Sequence, residues 1–412
     1  MCDFCTWVNK IKAKVKTEQG AFDGLVIPPR KDPVIIVHGG AGRIPKKNRI
    51  AMLEDVKTAA IKAYTNLIRG SHVLDAVEEA ICHMESQKYF NCAFGGSLDY
   101  TGDVVMDAGI TDSGFQFGSV GAVRDIEHPI SLARLVMHNT DHILLAEKGA
   151  QSFAVESRMS ILSPGSLIPT PTPSPSLNWE NEEEEEPQID STTNIEANLA
   201  GDKNPKYETL VLKRFPQCSP YYGQMIEEKC ETQPNLVNIF EPTLLELQYS
   251  LFNKVGGVGA VAYDRKGRLA AGTSTAGNQG KLNGYMSPAA TVPGCGIFAD
   301  QTGCVSISGH DQTIYAYAPA RMFIKRLNAG EIIDEALNME LDEFQDSMCQ
   351  SNIGAIALNS DGKPAVSFRS QHFLWAYCEL GWLYYGWEKN QVFSEKIEGL
   401  DRPLDCMCEG VI

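Results

Sequence analysis

The chain has 412 residues, of which 43% are hydrophobic and 21% are charged, so it can fold as one large domain or as several smaller ones. Its formal net charge of −16 argues against a nucleic acid or an anionic membrane as the main partner. The N-terminal residues lack a basic start followed by an apolar stretch, and no run is long enough to span a membrane. We therefore expect a soluble cytoplasmic protein that binds neither nucleic acid nor membrane.

Twelve cysteines are scattered along the chain, which in a reducing compartment predicts mostly free thiols. Two closely spaced pairs, Cys2/Cys5 and Cys406/Cys408, leave open a four-thiolate metal site. Neither pair is accompanied by a histidine or a turn glycine, and the pairs lie at opposite ends of the chain. The sequence therefore predicts neither a cofactor nor a metal site.

The first half of the chain, residues 33–160, shows alternating strand and helix patterns. The β-branched run Val34–Gly42 ends in glycines and predicts a buried strand. Apolar residues recur with helical spacing over residues 48–67, where Gly70 provides a stop signal. The further predictions of this half are helices over 73–84 and 129–137, a loop over 90–99, and strands over 103–107 and 118–124.

Residues 163–190 differ in composition from the rest of the chain, because they are rich in proline and contain five consecutive glutamates. Such a segment has little apolar surface to bury. We predict a disordered stretch from residue 163 to about 205 within a linker region over 161–250, and a protein-binding tail is the functional alternative. Residues 1–32 and 391–412 are expected to be terminal appendages.

Strand patterns return in the second half, residues 251–390. Glycine-containing turns at 265–267 and 360–362 predict two hairpins. The predicted strands are 258–264, 268–275, 304–308, 354–358, 365–369 and 373–378, and the predicted helices are 313–327 and 331–344. Because each half combines strands with a pair of helices, we predict two packed sheets covered on both outer faces by helices, a four-layer αββα sandwich of the α+β class.

Several blocks resemble, in the same order, those of the type III asparaginases and isoaspartyl peptidases, which are N-terminal-nucleophile (Ntn) hydrolases. The blocks are His38–Gly42, Gly102–Ala108, Gly118–Val123, Pro129–Arg134, Val258–Asp264, Thr273–Gly277 and Ser308–His310. The resemblance covers about residues 33–160 and 250–390. It implies the same αββα fold.

The resemblance also implies a nucleophile position that this chain does not fill. In the family, a precursor cleaves itself before a threonine, whose hydroxyl then attacks the substrate amide while its freed α-amine serves as the base. That threonine follows a glycine and precedes Val-Gly-Ala. Here the matching sequence is Gly256-Gly257-Val-Gly-Ala, so Gly257 occupies the position without a hydroxyl.

Other positions of the implied site have changed as well. The family's Arg-Val-Gly-Asp segment, which binds the substrate's α-carboxylate and α-amine, corresponds to Tyr285, Met286, Ser287 and Pro288, so both charges are lost. The family's Thr-Gly-His-Gly loop, which supplies an oxyanion donor, corresponds to Ser308, Gly309, His310 and Asp311, where the aspartate would oppose a developing oxyanion.

Some features of the family persist. Thr275 matches the threonine that supports the nucleophile, Asp99 stands where the family has an asparagine, and residues 90–96 resemble a sodium-binding loop with altered residues. His38 and His310 are interpreted as core histidines held by backbone partners.

These changes predict a catalytically inactive, unprocessed homologue that acts by binding a small amino acid or peptide, or by pairing with an active paralogue. A homodimer or another oligomer is expected. The alternative is an active amidohydrolase in which Thr273, Thr275 or Ser308 replaces the missing nucleophile, with His310 as a possible base.

Overall fold

A computed structural model describes residues 31–168 and 255–398. The first range contains strands β1 (Val34–Gly42), β2 (Met106–Asp112), β3 (Phe117–Val123) and β4 (Leu144–Ala146), and helices α1 (Lys46–Ile68), α2 (Val73–Glu85), α3 (Pro129–Asn139) and α4 (Glu147–Glu156). The second contains strands β5 (Val258–Tyr263), β6 (Leu269–Thr275), β7 (Ile297–Ala299), β8 (Gly303–Gly309), β9 (Ile353–Asn359), β10 (Pro364–Phe368), β11 (His372–Glu379), β12 (Trp382–Gly386) and β13 (Phe393–Lys396), and helices α5 (Pro288–Thr291), α6 (Asp311–Tyr317), α7 (Pro319–Asn328) and α8 (Ile333–Met348).

Within the described ranges, the strands form two sheets. The larger has nine strands in the order β13-β12-β11-β1-β5-β6-β2-β3-β4, and the smaller has four in the order β10-β9-β8-β7. Neighbouring strands are antiparallel except β3 and β4, which are parallel. The centre of the larger sheet places β1, from the first half of the sequence, beside β5 from the second half. The two halves therefore share one sheet.

Three clusters of buried side chains define four layers. One lies between helices α1 to α3 and the outer face of the larger sheet, and includes Val37 and Ala260. A second lies between the two sheets, where Val261 belongs to the same cluster as Ile356. The third packs helices α7 and α8 on the outer face of the smaller sheet. The predicted four-layer αββα sandwich is confirmed.

Alternation along single strands explains how each sheet serves two of these interfaces. In β1, Ile35 and Val37 belong to the helix-facing cluster, whereas Val34 and Ile36 belong to the cluster between the sheets. Successive side chains of a strand point to opposite faces, so a sheet buried on both sides gives a continuous apolar run. This is why the Val-Ile-Ile-Val run is the clearest strand signal in the sequence.

Most predicted elements are confirmed within a few residues, but two predictions are wrong. The strand predicted over 103–107 runs instead from Met106 to Asp112, and Val104 makes only an isolated bridge with Leu98. The helix predicted over 313–327 is two helices. It breaks at Ala318, whose φ of 54° is left-handed, before Pro319, which has no backbone N–H for helix bonding.

Several short elements were not predicted, among them β4, α4, β12 and β13. Residues 163–168, the start of the predicted disordered stretch, form hydrogen-bonded turns in which Leu167 is buried. The rest of that stretch lies outside the described residues, as do residues 1–30 and the cysteine pairs Cys2/Cys5 and Cys406/Cys408. In the described part of the chain, no helix combines the length and apolar character needed to cross a bilayer.

Candidate functional site

Three strands bring the predicted catalytic positions together. Gly257 immediately precedes β5, Thr275 ends β6, and Ser308 lies near the end of β8. In the β5–β6 ladder, Val258 lies opposite Ser274, which places Gly257 beside Thr275. The smaller sheet delivers Ser308 to the same point, because its hydroxyl donates to the Gly257 carbonyl at 2.9 Å. Gly257, Thr275 and Ser308 are therefore neighbours although they span 51 residues of sequence.

The space around Gly257 is closed to a larger residue. A Cβ atom built on Gly257 would lie 2.6 Å from Thr275 Cβ and 2.8 Å from the Ser274 carbonyl oxygen. Both distances are shorter than van der Waals contact, and a backbone carbonyl in a paired strand cannot move as a flexible side chain can. The packing matches glycine at this position.

The three hydroxyls predicted as replacement nucleophiles, those of Thr273, Thr275 and Ser308, are engaged by the backbone. Ser308 Oγ accepts from the Ala41 N–H at 3.0 Å and donates to the Gly257 carbonyl. Thr273 Oγ1 donates to the Val258 carbonyl at 2.8 Å, and Thr275 Oγ1 accepts from the Gly277 N–H at 3.0 Å. A nucleophilic hydroxyl must give its proton to a base. Ser308 and Thr273 direct theirs to carbonyl oxygens.

His38 and His310, interpreted from the sequence as core histidines, both contact hydroxyl side chains. His38 is fully buried in β1, and its Nε2 lies 2.9 Å from Ser306 Oγ. The expected backbone partner is thus replaced by a serine hydroxyl. Burial lowers the pKa of His38 to about 3, so the imidazole is neutral at physiological pH. His310 Nδ1 lies 3.3 Å from Thr313 Oγ1, at the N-terminus of α6.

A buried ion pair lies beside the segment that matches the family's substrate-binding residues. Lys281 Nζ is 3.2 Å from Asp107 Oδ2, and both side chains are almost fully buried. Asp107 also accepts from the backbone N–H groups of Ser287 and Ala122 at 2.9 and 2.8 Å. Burial raises the pKa of Asp107, and Lys281 opposes that rise.

Asp311 extends this cluster towards Thr275. Its carboxylate accepts from Ser287 Oγ at 2.8 Å. Burial raises the pKa of Asp311 to about 6, an effect that Ser287 opposes and the charge of Asp107 reinforces. A Cβ built on Gly277 would be 3.4 Å from Lys281 Nζ and 3.9 Å from Asp311 Oδ2, so both charged groups lie near Gly277.

The other predicted binding positions are packed as well. Burial, followed by the charges of Asp311 and Asp107, raises the pKa of Tyr285. Met286 packs so closely on Gly121 that its sulfur leaves no room for a Cβ there. Pro288 occupies the first position of α5, and Gly309 lies against the Asn352 carbonyl, which leaves no room for a Cβ on Gly309.

The loop before β2 is held to the site by Asn91 and Asp99. The Asn91 side-chain amide donates to the carbonyl of Gly277 at 2.9 Å. Asp99 is almost fully buried, accepts from the backbone of Thr101 and Asp103, and pairs with Arg124 at 2.8 Å. These bonds give both residues a role in fixing the loop.

Sequence reasoning missed Lys281 and the role of Asp107. The two are 174 positions apart, and only the pairing of β2 with β6 brings Asp107 opposite Thr275. The sequence places Asp107 within the matched block Gly102–Ala108, but it does not indicate which residue is its partner. The segment predicted to match the family's substrate-binding residues thus lies beside a buried cation, Lys281, that the sequence analysis did not assign.

A family model described as asparaginase matches residues 31–382. The chain belongs to this asparaginase family. It is 31% identical over 368 residues to an isoaspartyl peptidase/L-asparaginase of Danio rerio, covering 89% of this chain and 98% of that protein. It is 30% identical to the Xenopus laevis protein of the same name, over 84% of this chain and 91% of that protein, and 29% identical to the Homo sapiens protein, over 86% and 96%. The resemblance to type III asparaginases, and with it the Ntn-hydrolase fold, is confirmed.

Proposed function

We propose that this asparaginase-family protein is catalytically inactive, remains one uncut chain, and acts through binding. The observation that carries the proposal is the packing at Gly257. The position lacks the hydroxyl that self-cleavage and acyl transfer both require, and Thr275 and Ser274 fill the space that such a side chain would occupy.

The state of the neighbouring hydroxyls supports this proposal. Ser308 donates its proton to the carbonyl of Gly257, the residue that stands in for the nucleophile. An attacking oxygen in this place would have to break that hydrogen bond and find a base. His38 is fully buried and already paired with Ser306, which makes it a poor candidate.

The charged residues around the predicted substrate-binding segment also support the proposal of an inactive protein. Lys281 is paired with Asp107, and Asp311 accepts a hydrogen bond from Ser287, so each of these charged groups already has a partner within the protein. A substrate's α-carboxylate would need Lys281 to give up a buried partner, which is costly. We propose that the retained role is binding of a small amino acid or peptide, or pairing with a second copy or an active paralogue in the cytoplasm.

The mass of the purified full-length chain under denaturing conditions tests whether the protein remains uncut. We expect an intact species of 45.2 kDa. No turnover of L-asparagine or a β-aspartyl dipeptide should be measurable. Two fragments that separate before Gly257, or turnover at ordinary enzyme rates, would contradict the proposal.

Native mass measurement of the protein, alone and mixed with an active relative, tests whether it assembles with a second copy or with that relative. A strictly monomeric protein would contradict the pairing role.

A Gly257→Thr variant tests whether the packing itself prevents activity. We expect it to remain uncut and inactive, because the added side chain meets the paired strand β6. Self-cleavage of this variant would show that the remaining machinery is competent and would contradict the argument from closed packing.

One observation favours a second candidate, an amidohydrolase with a displaced nucleophile. Thr275 Oγ1 lies 3.0 Å from the place where a Cβ of Gly257 would stand, so its hydroxyl is close to the family's reactive position. A panel of amide substrates tests this candidate. Activity that is lost in Thr275→Val but kept in Thr273→Val would support it, and an inert parent protein would exclude it for those substrates.

A further inference from the structure

A cluster of three potential metal ligands lies on the helix side of the larger sheet. Cys82 and Glu85 are one helical turn apart in α2, and His128 immediately precedes α3. One ligand atom from each, the Cys82 sulfur, a Glu85 carboxylate oxygen and a His128 ring nitrogen, lies within 4.8 Å of the other two. Thiolate, imidazole and carboxylate together form a ligand set typical of zinc and similar transition metals.

Glu85 is held in an orientation that leaves one oxygen available. Its Oε1 accepts from Ser274 Oγ at 2.6 Å and from the Ile130 N–H at 3.2 Å. Its Oε2 is fully buried and has no hydrogen bond within the described part of the protein. It forms an ion pair with His128 Nδ1 at 3.3 Å when the imidazole is protonated. A metal ion would take the place of that proton between the two atoms, whose separation suits two ligands of one tetrahedral ion.

His128 is oriented by charges on both sides of its ring. Its Nδ1 makes no hydrogen bond of standard geometry among the described residues, and its side chain does not cap α3. Its Nε2 lies 4.0 Å from Glu127 Oε1. A metal-bound histidine commonly gives its second ring N–H to a carboxylate, which fixes the ring. Glu127 lies just beyond hydrogen-bond distance, and a small rotation of its side chain would let it serve in this way.

The surroundings admit a cation. Glu78 and Glu79 lie on the same helix as Cys82, and their charges act on its thiol. Arg134 neutralises part of this charge, because it pairs with Glu78 and Asp75. The His128 side chain is 29% exposed, so an ion can reach the cluster from solvent, whereas Glu85 forms its buried floor.

From this geometry we propose that Cys82, Glu85 and His128 bind a thiophilic divalent metal ion such as Zn²⁺, with a fourth position open to water. Binding releases the thiol proton of Cys82 to solvent, because the thiolate is the ligand form. The ion would link α2 to α3 and, through the Glu85–Ser274 hydrogen bond, to the strand that carries Thr275. The proposal does not depend on whether the protein is catalytically active.

Titration of the chelator-treated full-length protein with Co²⁺ tests the site. We expect thiolate-to-cobalt charge-transfer absorption and the visible bands of a four-coordinate ion, with Zn²⁺ displacing Co²⁺. Cys82→Ser should abolish the charge-transfer band, and His128→Gln should weaken binding at least tenfold. Glu127→Gln should weaken it roughly tenfold, as loss of an orienting group does.

Cys349→Ser is the matched control, because Cys349 is an exposed free thiol remote in sequence from the cluster. It should bind Co²⁺ as the parent does. Zn²⁺ should raise the melting temperature of the parent and of Cys349→Ser, but not that of Cys82→Ser or His128→Gln. Folding of each variant is checked by its thermal unfolding in the presence of chelator.

Failure of the parent to bind Co²⁺, or the same spectrum in the parent and in Cys82→Ser, would overturn the proposal. The second result would assign the metal to other cysteines, such as Cys2/Cys5 and Cys406/Cys408.

Discussion

Gly257 and Thr275 lie so close that a single methyl group on the glycine would stand 2.6 Å from Thr275 Cβ. The contact joins the residue before β5 to the last residue of β6, within a ladder that pairs Val258 with Ser274. Neither strand can withdraw without disturbing its other partner, since β5 also pairs with β1 and β6 with β2. The position predicted for the nucleophile thus has neither a hydroxyl nor space for a larger side chain.

Gly257→Ala should therefore lower the free energy of unfolding by about 1–3 kcal/mol, the usual cost of overpacking a close contact. Gly149→Ala is the matched control. Gly149 lies in helix α4 with no atom within 4 Å of its added Cβ, so alanine there should be neutral or stabilising by up to about 1 kcal/mol. Urea unfolding of both variants measures the difference. Equal stabilities would contradict the closed packing.

The Lys281–Asp107 pair predicts a large loss when one partner is removed. Lys281→Met should lower the free energy of unfolding by about 3–5 kcal/mol, because the Asp107 carboxylate is left buried without its cation. The double variant Lys281→Met/Asp107→Asn should recover part of this, because no charge is left buried. The recovery is incomplete, because Ser287 and Ala122 donate to different oxygens of Asp107 and the single amide oxygen can replace only one of them.

Lys363→Met is the control for this pair. Lys363 also pairs with an aspartate, Asp334, but both side chains are about half exposed, and such pairs contribute at most about 1 kcal/mol. Chemical unfolding at pH 7 compares the three variants. A loss in Lys281→Met as small as that in Lys363→Met would show that Asp107 does not depend on its lysine.

The same pair illustrates what the sequence can and cannot predict. The strand at Val34–Gly42 and the helix over 48–67 follow from local periodicity, and both are confirmed. The assignment of Gly257 to the family's nucleophile position rests on the order of the matched blocks and stays a prediction. The Lys281–Asp107 contact depends on register between distant strands, which no local pattern records.

Backbone geometry sets a second limit on prediction from sequence. The apolar spacing over 313–327 is continuous, yet the helix breaks at Ala318, which adopts a left-handed conformation before Pro319. Pro319 indicates a break in the helix, but proline is also common in the first turn of a helix. Spacing alone could not tell one kinked helix from two.

Asp311 predicts a stability effect that grows with pH. Folding raises its pKa from 3.8 to about 6, so between these values the folded state binds more protons than the unfolded state. The free energy of unfolding therefore falls as the pH rises through this interval. Asp311→Asn, which can still accept from Ser287 Oγ, should be more stable than the parent by about 1–3 kcal/mol at pH 8. Near pH 4 the two should be alike. A constant difference across the interval would contradict this origin.

His38 predicts the opposite dependence. Its pKa falls from 6.5 in the unfolded chain to about 3 in the folded protein, so the unfolded state binds more protons between these values. Stability is thus lost as the pH falls below about 6.5, by up to about 1.4 kcal/mol per pH unit. His38→Gln, which keeps a group able to bond Ser306 Oγ, should flatten the stability profile between pH 6.5 and 4. The substitution should also cost some stability at pH 7, because His38 stacks on Phe373 with ring centroids 5.3 Å apart.

His142→Gln, at an exposed position, is the control and should leave the dependence of stability on pH unchanged. An acid-side slope that is the same in the parent and in His38→Gln would assign the acid sensitivity to other groups.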